Sequence, residues 1–242
     1  GTHSGVGKTT VTLALMADFG VTVERDDYQR FTVQPTRYLP QDLYTIESDA
    51  SAASYFFALP AVVGGSLRVR DLGRGSRQGD IAFVDVLAAM GCRVNETPAG
   101  IEVSQPEEIL RGIDVDLRHI SDTAQTLAAI APFAATPTTI RGIASARVKE
   151  TDRVSAIAVE LARLGVRVEE HADGVTIWPA ERFTPATIQT YNDHRMAMAF
   201  ALTALRVPGA QIADPGCTAK TFPEYFATLE DALTQTVAPT TD

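Results

Sequence analysis

LALMADFGVTV at residues 13–23, VLAAMGCRV at 86–94 and VELARLGVRV at 159–168 are three versions of one local pattern. In each, an apolar run of helical spacing stops at a glycine and passes at once into a short β-branched stretch. Glycine takes positive φ without a Cβ clash, so it releases the chain from a helix. Gly20, Gly91 and Gly165 stand 71 (20 to 91) and 74 (91 to 165) residues apart. A second element recurs with nearly the same period: Ser, Asn or Asp precedes an Ala-rich apolar helix near Asp49, Asp122 and Asp193, at intervals of 73 (49 to 122) and 71 (122 to 193) residues. Such residues accept hydrogen bonds from the free N–H groups of a first helical turn.

Strand-like pieces fill the intervals, among them GGSLRVRDL (64–72), GIEVS (100–104), TPTTIRGI (136–143), GVTIWP (174–179) and PGAQIADP (208–215). The chain therefore reads as three α/β units of about 72 residues, each with two helices and short strands. A solenoid, whose units run to roughly 20–50 residues, fits this period poorly. One closed domain with pseudo-threefold symmetry fits it better. The stretch TAQTLAAIAPFAA (123–135) is nearly all small or apolar and should form a central, buried helix.

Composition agrees with a globular chain. With 45% apolar and 21% charged residues in 242, and two cysteines, it is neither disordered nor collagen-like nor a disulfide-stapled module. It has no apolar run of about 18 residues to cross a membrane. GTHSGVGKTT (1–10) lacks the apolar segment of a signal peptide, so the expected address is the cytoplasm or a plastid stroma. A formal charge of -9 argues against a broad basic face for nucleic acid but leaves room for a small anion site. Two cysteines and four scattered histidines imply neither a metal nor another cofactor.

Four polar segments interrupt the apolar repeat. Ser121-Asp122 precedes the most apolar helix, where the plain reading of Asp122 is a helix cap. ARVKETDR (146–153) packs Arg147, Lys149, Glu150, Asp152 and Arg153 into seven residues, either as a solvated helix start with local ion pairs or as an anion-binding helix entrance. YNDHRMAM (191–198) places His194 and Arg195 at a helix N-terminus, where cations are poorly placed unless something negative binds nearby. DPGCTAKTFPEYF (214–226) carries Lys220 after a Pro-Gly turn. Lys149, Arg153, Arg195 and Lys220, with Asp122 and Glu150, suit a ligand bearing both phosphate and carboxylate. These residues alone do not name a reaction.

In order along the chain, LALMADFGV, ESDASAASYF, RGSRQGDI, HISDTAQT, RVKETDR, YNDHRMAMAF and DPGCTAKTFPEYF resemble the C-terminal half of the 5-enolpyruvylshikimate-3-phosphate synthase family. The resemblance runs from about residue 13 to the end. It implies a domain of three βαβαββ units, with the active site in a cleft between two such domains. It also implies transfer of the carboxyvinyl group of phosphoenolpyruvate to the 5-hydroxyl of shikimate 3-phosphate, with release of phosphate. Carried over by residue, Asp122 is the base at the 5-hydroxyl and Glu150 handles the proton on the enolpyruvyl methylene. Lys149 contacts the shikimate side, and Ser145 stands where many relatives carry Asn for the shikimate phosphate. Arg153 and Arg195 hold the phosphoenolpyruvate carboxylate, Lys220 its phosphate, and His194 supports the last pair and the intermediate.

Two departures bear on this. The family is nearly twice as long, so the expected partner is the missing N-terminal domain, which would also supply a first strand to this one; the chain alone is expected to turn over little. Residues 1–12 form an atypical leader or first helical turn ahead of a domain at 13–242. Within that leader, GTHSGVGKTT is similar to a phosphate-binding P-loop with Thr2 in place of the first Gly, and the domain's first helix is expected to start around Lys8 to Val11. Two other functions stand beside the transferase: a module that binds phosphoenolpyruvate or a partner without chemistry, and a P-loop nucleotide binder favoured by residues 1–10 alone.

Overall fold

The three glycine stops fold as three copies of one helix ending. The computed structural model of the chain describes residues 4–27 and 29–236, with the side chains of 4–8, 10, 235 and 236 outside that description. Outer helices α1 (Ser4–Asp18), α3 (Phe83–Ala89) and α5 (Arg153–Arg163) lead into Gly20, Gly91 and Gly165, all at positive φ. In each, the N–H after the glycine donates to the carbonyl five residues back: Val21 to Met16 at 2.8 Å, Cys92 to Leu87 and Val166 to Leu161 at 3.0 Å. This closure satisfies carbonyls that the helix end would otherwise leave free. At Gly165, with φ +82°, an added Cβ would also come within 3.2 Å of Thr184 Oγ1. Gly165→Ala is expected to cost about 1–2 kcal/mol of stability, measured by urea unfolding, because an L-residue is strained there.

α1 is already helical at Ser4, the first described residue and ahead of the expected Lys8–Val11, and runs unbroken to Asp18. The P-loop reading of residues 1–10 rests on Gly1–His3 and on the Lys8 side chain, which lie outside the described residues.

The Ala-rich stretches form the inner helices α2 (Ala50–Val63), α4 (Ala124–Ile130) and α6 (His194–Arg206), which pack against one another. All seven residues of α4 are buried. Small side chains let the three backbones approach, and hydroxyls tie them: Ser54 Oγ lies 2.9 Å from Thr126 Oγ1, and Thr203 Oγ1 donates to the Ala129 carbonyl at 2.8 Å. A buried hydroxyl without such a partner would be costly. The last helix, α7 (Tyr225–Thr236), packs on α2; Tyr225 stacks edge-on against Tyr55 and Phe56 and donates to the Met198 carbonyl at 2.8 Å.

Each outer helix is followed by a hairpin: β1 (Val23–Asp26) with β2 (Arg30–Val33), β4 (Arg93–Thr97) with β5 (Gly100–Ser104), and β8 (Val168–His171) with β9 (Gly174–Ile177). The strand leaving one inner helix joins the next hairpin antiparallel. β3 (Ser66–Val69) pairs with β5, and β7 (Thr138–Arg141) pairs with β9. A short strand β6 (Asp114–Asp116) adds to β7 in parallel, and β10 (Thr187–Ile188) pairs with β11 (Gln211–Ile212). The fold is thus three α/β units around a bundle of inner helices. The β1–β2 hairpin pairs with no third strand among the described residues. No described helix is long and apolar enough to cross a membrane.

Candidate functional site

Three aspartates enter the three inner helices, and they do not behave alike. Asp49 Oδ1 accepts the Ala52 N–H at 2.9 Å, and Asp193 Oδ1 accepts the Arg195 N–H at 2.9 Å, so both are caps. Asp122 sits in a 3-10 turn, Ser121–Thr123, and caps nothing. Its carboxylate meets cations instead: Arg153 Nη1 at 3.1 Å and Lys149 Nζ at 3.7 Å on Oδ1, and Arg195 Nη2 at 3.1 Å on Oδ2. Burial pushes this acid up, but the charges of Arg195, Lys149 and Arg153 outweigh it and hold the group below its ordinary value.

The ARVKETDR segment supplies the next wall. Its first part is a 3-10 turn, Ala144–Val148, and Asp152 caps α5 by accepting the Ser155 N–H at 3.0 Å. The helix entrance offered to an anion by the sequence is therefore occupied by the protein's own carboxylate. Arg147 faces away from the cluster. Its guanidinium bonds Asp152, Glu170 and the carbonyls of His171 and Ala172, pinning the turn to the β8–β9 end. Ser145 is half-buried in the same turn, outside the ion-paired cluster.

Arg153 is the hub. Only 2% exposed, it donates from Nε to Asp193 Oδ2 at 2.7 Å, from Nη1 to Asp122 at 3.1 Å and from Nη2 to Glu150 Oε2 at 2.7 Å. Nη2 also reaches Asp193 Oδ1 at 3.2 Å. Its donors are thus spread over three protein carboxylates rather than left pointing into the cleft. Lys220, at the end of the 3-10 segment Pro215–Lys220, reaches Glu150 Oε1 at 3.3 Å with 66% of its side chain exposed. Arg195 makes only long contacts from Nη1, at 3.5 Å to the Tyr55 hydroxyl and to the Asp122 carbonyl.

Glu150 is pulled down to about 2: burial raises it, and its own backbone N–H, the Arg153 charge, Lys220 and His194 more than reverse this. A carboxylate with a depressed pKa stabilises the fold above its unfolded value, near 4.5, and that contribution is lost as pH falls toward about 2. Urea midpoints taken between pH 5 and pH 2.5 should therefore fall less steeply in Glu150→Gln than in the wild type. Parallel curves would remove Glu150 from the acid transition.

His194 is buried, with Nδ1 unpaired in hydrogen bonding and 3.8 Å from Asp193 Oδ1. Burial, then the Arg195 charge, lowers its pKa, which favours the neutral ring. Two features of the site carried no signal of their own in the sequence. Tyr55 is a core aromatic whose hydroxyl ends beside Arg195. Asp80 enters α3's preceding 3-10 turn, is bonded by Ser51 Oγ, and is raised by burial. Tyr55, Asp80 and Asp193 all stand in segments quoted above, ESDASAASYF, RGSRQGDI and YNDHRMAMAF, but their places in the site follow only from packing. In all, the entrances of inner helices α4 and α6, the entrance of outer helix α5 and the Pro215–Lys220 segment bring Asp122, Lys149, Glu150, Arg153, His194, Arg195 and Lys220 to one place. The result is a patch of four cations and three carboxylates (with Asp193), able to take an anion and to move protons at its edge.

Known proteins with this fold and sequence point the same way. A family profile described as EPSP synthase (3-phosphoshikimate 1-carboxyvinyltransferase) matches residues 8–229. The chain is 51% identical over 235 residues to 3-phosphoshikimate 1-carboxyvinyltransferase of Nostoc punctiforme, covering 97% of this chain and 55% of the relative. It is 48% identical over 221 residues to the protein of that name from Photorhabdus laumondii, covering 91% and 51%. Among solved structures, EPSP synthase of Acinetobacter baumannii superposes with a TM-score of 0.78 at 24% identity, over 90% of this chain and 53% of that one. The enolpyruvyl transferase NikO of Streptomyces tendae does so with 0.67 at 20%, over 95% and 53%; these two speak for the fold. The chain spans about half the length of the curated relatives it matches. With a profile covering most of its residues and relatives about half identical to it, the chain belongs to the EPSP synthase (3-phosphoshikimate 1-carboxyvinyltransferase) family.

Proposed function

We propose that this chain supplies one wall of a cytoplasmic enzyme that transfers the carboxyvinyl group of phosphoenolpyruvate to the 5-hydroxyl of shikimate 3-phosphate, releasing phosphate. The observation that carries this is Asp122. Of the three aspartates at the inner-helix entrances it alone is not a cap, and three cations keep it ionised, the form that can take a proton.

In this reading Asp122 takes the 5-hydroxyl proton as that oxygen bonds to C2 of phosphoenolpyruvate. Glu150 delivers a proton to the methylene C3, giving a tetrahedral intermediate with a methyl group. Glu150 then removes a methyl proton as the C2–O bond to phosphate breaks, which regenerates the vinyl group on the new ether. Held by Arg153 and Lys220, Glu150 is ionised at neutral pH. A phosphoenolpyruvate that draws Lys220 away and brings its own negative charge raises this pKa toward that of a working acid. Lys220 and the loosely held Nη1 of Arg195 are the donors best placed for the incoming phosphate and carboxylate. Arg153 acts by holding Asp122, Glu150 and Asp193 in register. His194 supports the intermediate beside Glu150. Lys149 contacts the shikimate side, beside Asp122, and Ser145 the shikimate phosphate.

The partner is a second domain. The two-stranded β1–β2 sheet, where the other two hairpins each carry a third strand, and the solvent-exposed Lys220 support an unfinished half-cleft, in which solvent weakens the charges. The test is product formation from both substrates, read by mass spectrometry. The chain alone is compared with the chain mixed with the complementary N-terminal half of the Nostoc punctiforme relative. Enolpyruvylshikimate phosphate is expected in the mixture and not from the chain alone. Product from the chain alone would overturn the half-cleft, and none from a folded, assembled mixture would overturn the function.

A further inference from the structure

The segment that enters α6 is a turn its sequence does not favour. Asp193 N–H donates to the Thr190 carbonyl at 2.8 Å, and both central residues, Tyr191 and Asn192, are left-handed, with φ of 54° and 55°. Two left-handed central residues are the signature of a type I′ turn, which Gly, Asn and Asp populate. Asn192 suits it. Tyr191 does not, because its Cβ crowds the following carbonyl. Strained backbone of this kind persists only where the surroundings over-determine it. The next three residues are Asp193, which anchors Arg153, then His194 and Arg195.

What over-determines the turn is a carboxylate that takes no part in the chemistry. Glu160, on α5, is fully buried. Its Oε1 accepts the Tyr191 hydroxyl at 2.7 Å, its Oε2 accepts the Gln189 N–H at 2.9 Å, and Arg163 Nη1 lies 3.2 Å from both oxygens. Burying a carboxylate is costly unless it is paired and hydrogen-bonded, and here two of its bonds go to the two residues flanking Thr190. α5 thus grips the site at two points. Arg153 holds Asp193 at its first turn, and Glu160, about two turns further on, holds the loop that leads into Asp193.

We infer that Glu160 is a positioning residue: through Tyr191 and Gln189 it clamps the left-handed Tyr191–Asn192 turn and so sets where His194 and Arg195 point. Its effect on ligand affinity rests on the function proposed above, whereas the clamp itself does not. The experiment uses the full chain and two readouts, the Cε1–H resonance of the His194 ring by NMR and phosphoenolpyruvate affinity by titration.

Tyr191→Phe keeps the ring and deletes one clamp bond. Glu160→Met deletes both. Glu160→Gln keeps an acceptor for Gln189 N–H and can donate to the Tyr191 oxygen. Tyr191→Phe and Glu160→Met are expected to move the His194 resonance and weaken phosphoenolpyruvate about tenfold, the equivalent of one strained residue relaxing. Glu160→Gln should leave both near wild type. Tyr191→Gly deletes the same bond but should leave the resonance near wild type, because glycine holds the positive φ of position 191 unaided. A folded Tyr191→Phe with His194 unmoved overturns the clamp, and so does a folded Tyr191→Gly whose resonance moves as far as that of Tyr191→Phe. If Glu160→Met does not fold, Tyr191→Phe decides alone. If the wild-type chain shows no phosphoenolpyruvate binding, the functional reading is in question while the resonance still tests the clamp.

Discussion

Arg153→Met is expected to destabilise the chain by about 3–5 kcal/mol, read as a fall in the urea midpoint at unchanged slope. The size comes from what is left behind. Asp193 is fully buried, and two of its hydrogen bonds come from the Arg153 guanidinium. Removing the cation leaves a carboxylate in the interior with only its cap bond to Arg195 N–H. Asp122 and Glu150 lose a shared cation at the same time, and their mutual repulsion rises. Arg153→Lys should recover a minority of the loss, since an ammonium cannot present three separated donors to three carboxylates. A Met variant within about 1 kcal/mol of wild type would mean that Asp193 finds another partner or takes up a proton, and Arg153 would not be the hub.

The second large effect is chemical. Asp122→Asn in the reconstituted two-half enzyme is expected to lower turnover by about 10²–10⁴-fold, the usual worth of a positioned base, with a smaller change in KM. Asn keeps the shape and still accepts from Arg195 or Arg153, but it cannot take a proton. The comparison that isolates the role is Asp49→Ala. It removes a cap at the equivalent entrance and should cost about 1 kcal/mol of stability through Ala52 N–H. Turnover of Asp122→Asn within about threefold of wild type would strike Asp122 from the mechanism and leave it as an electrostatic spacer.

The legibility of this chain follows the range of the interactions involved. Helix stops at Gly20, Gly91 and Gly165 could be read because a Schellman closure is decided within six residues, and only glycine takes its positive φ cheaply. The inner helices could be read because Ala-rich composition and a polar residue ahead of it are both local. The start of α1 is the exception. The helix already includes Ser4, upstream of Lys8, although Gly5 and Gly7 are poor helix formers, so local propensity misplaces that end.

At the site the same local signals are ambiguous. Asp49, Asp122 and Asp193 occupy equivalent places at intervals near 72 residues, and each could cap a helix. Asp122 fails to cap because Arg153, Lys149 and Arg195, drawn from two other segments, offer its carboxylate stronger partners than a backbone N–H does.

By itself, the sequence determined the repeat, the helix ends, the apolar inner helices and the set of charged residue types that meet in the family's motifs. Each of these depends on neighbours a few residues away or on composition along one face. The tertiary structure alone decided which charges pair. It turned Arg153 inward onto three carboxylates, left Lys220 in solvent, faced Arg147 away from the site, and set a left-handed turn against buried Glu160. Those choices depend on distances between groups 30 to 70 residues apart in the chain, and on which of them the packing removes from water, where a charge must be paired.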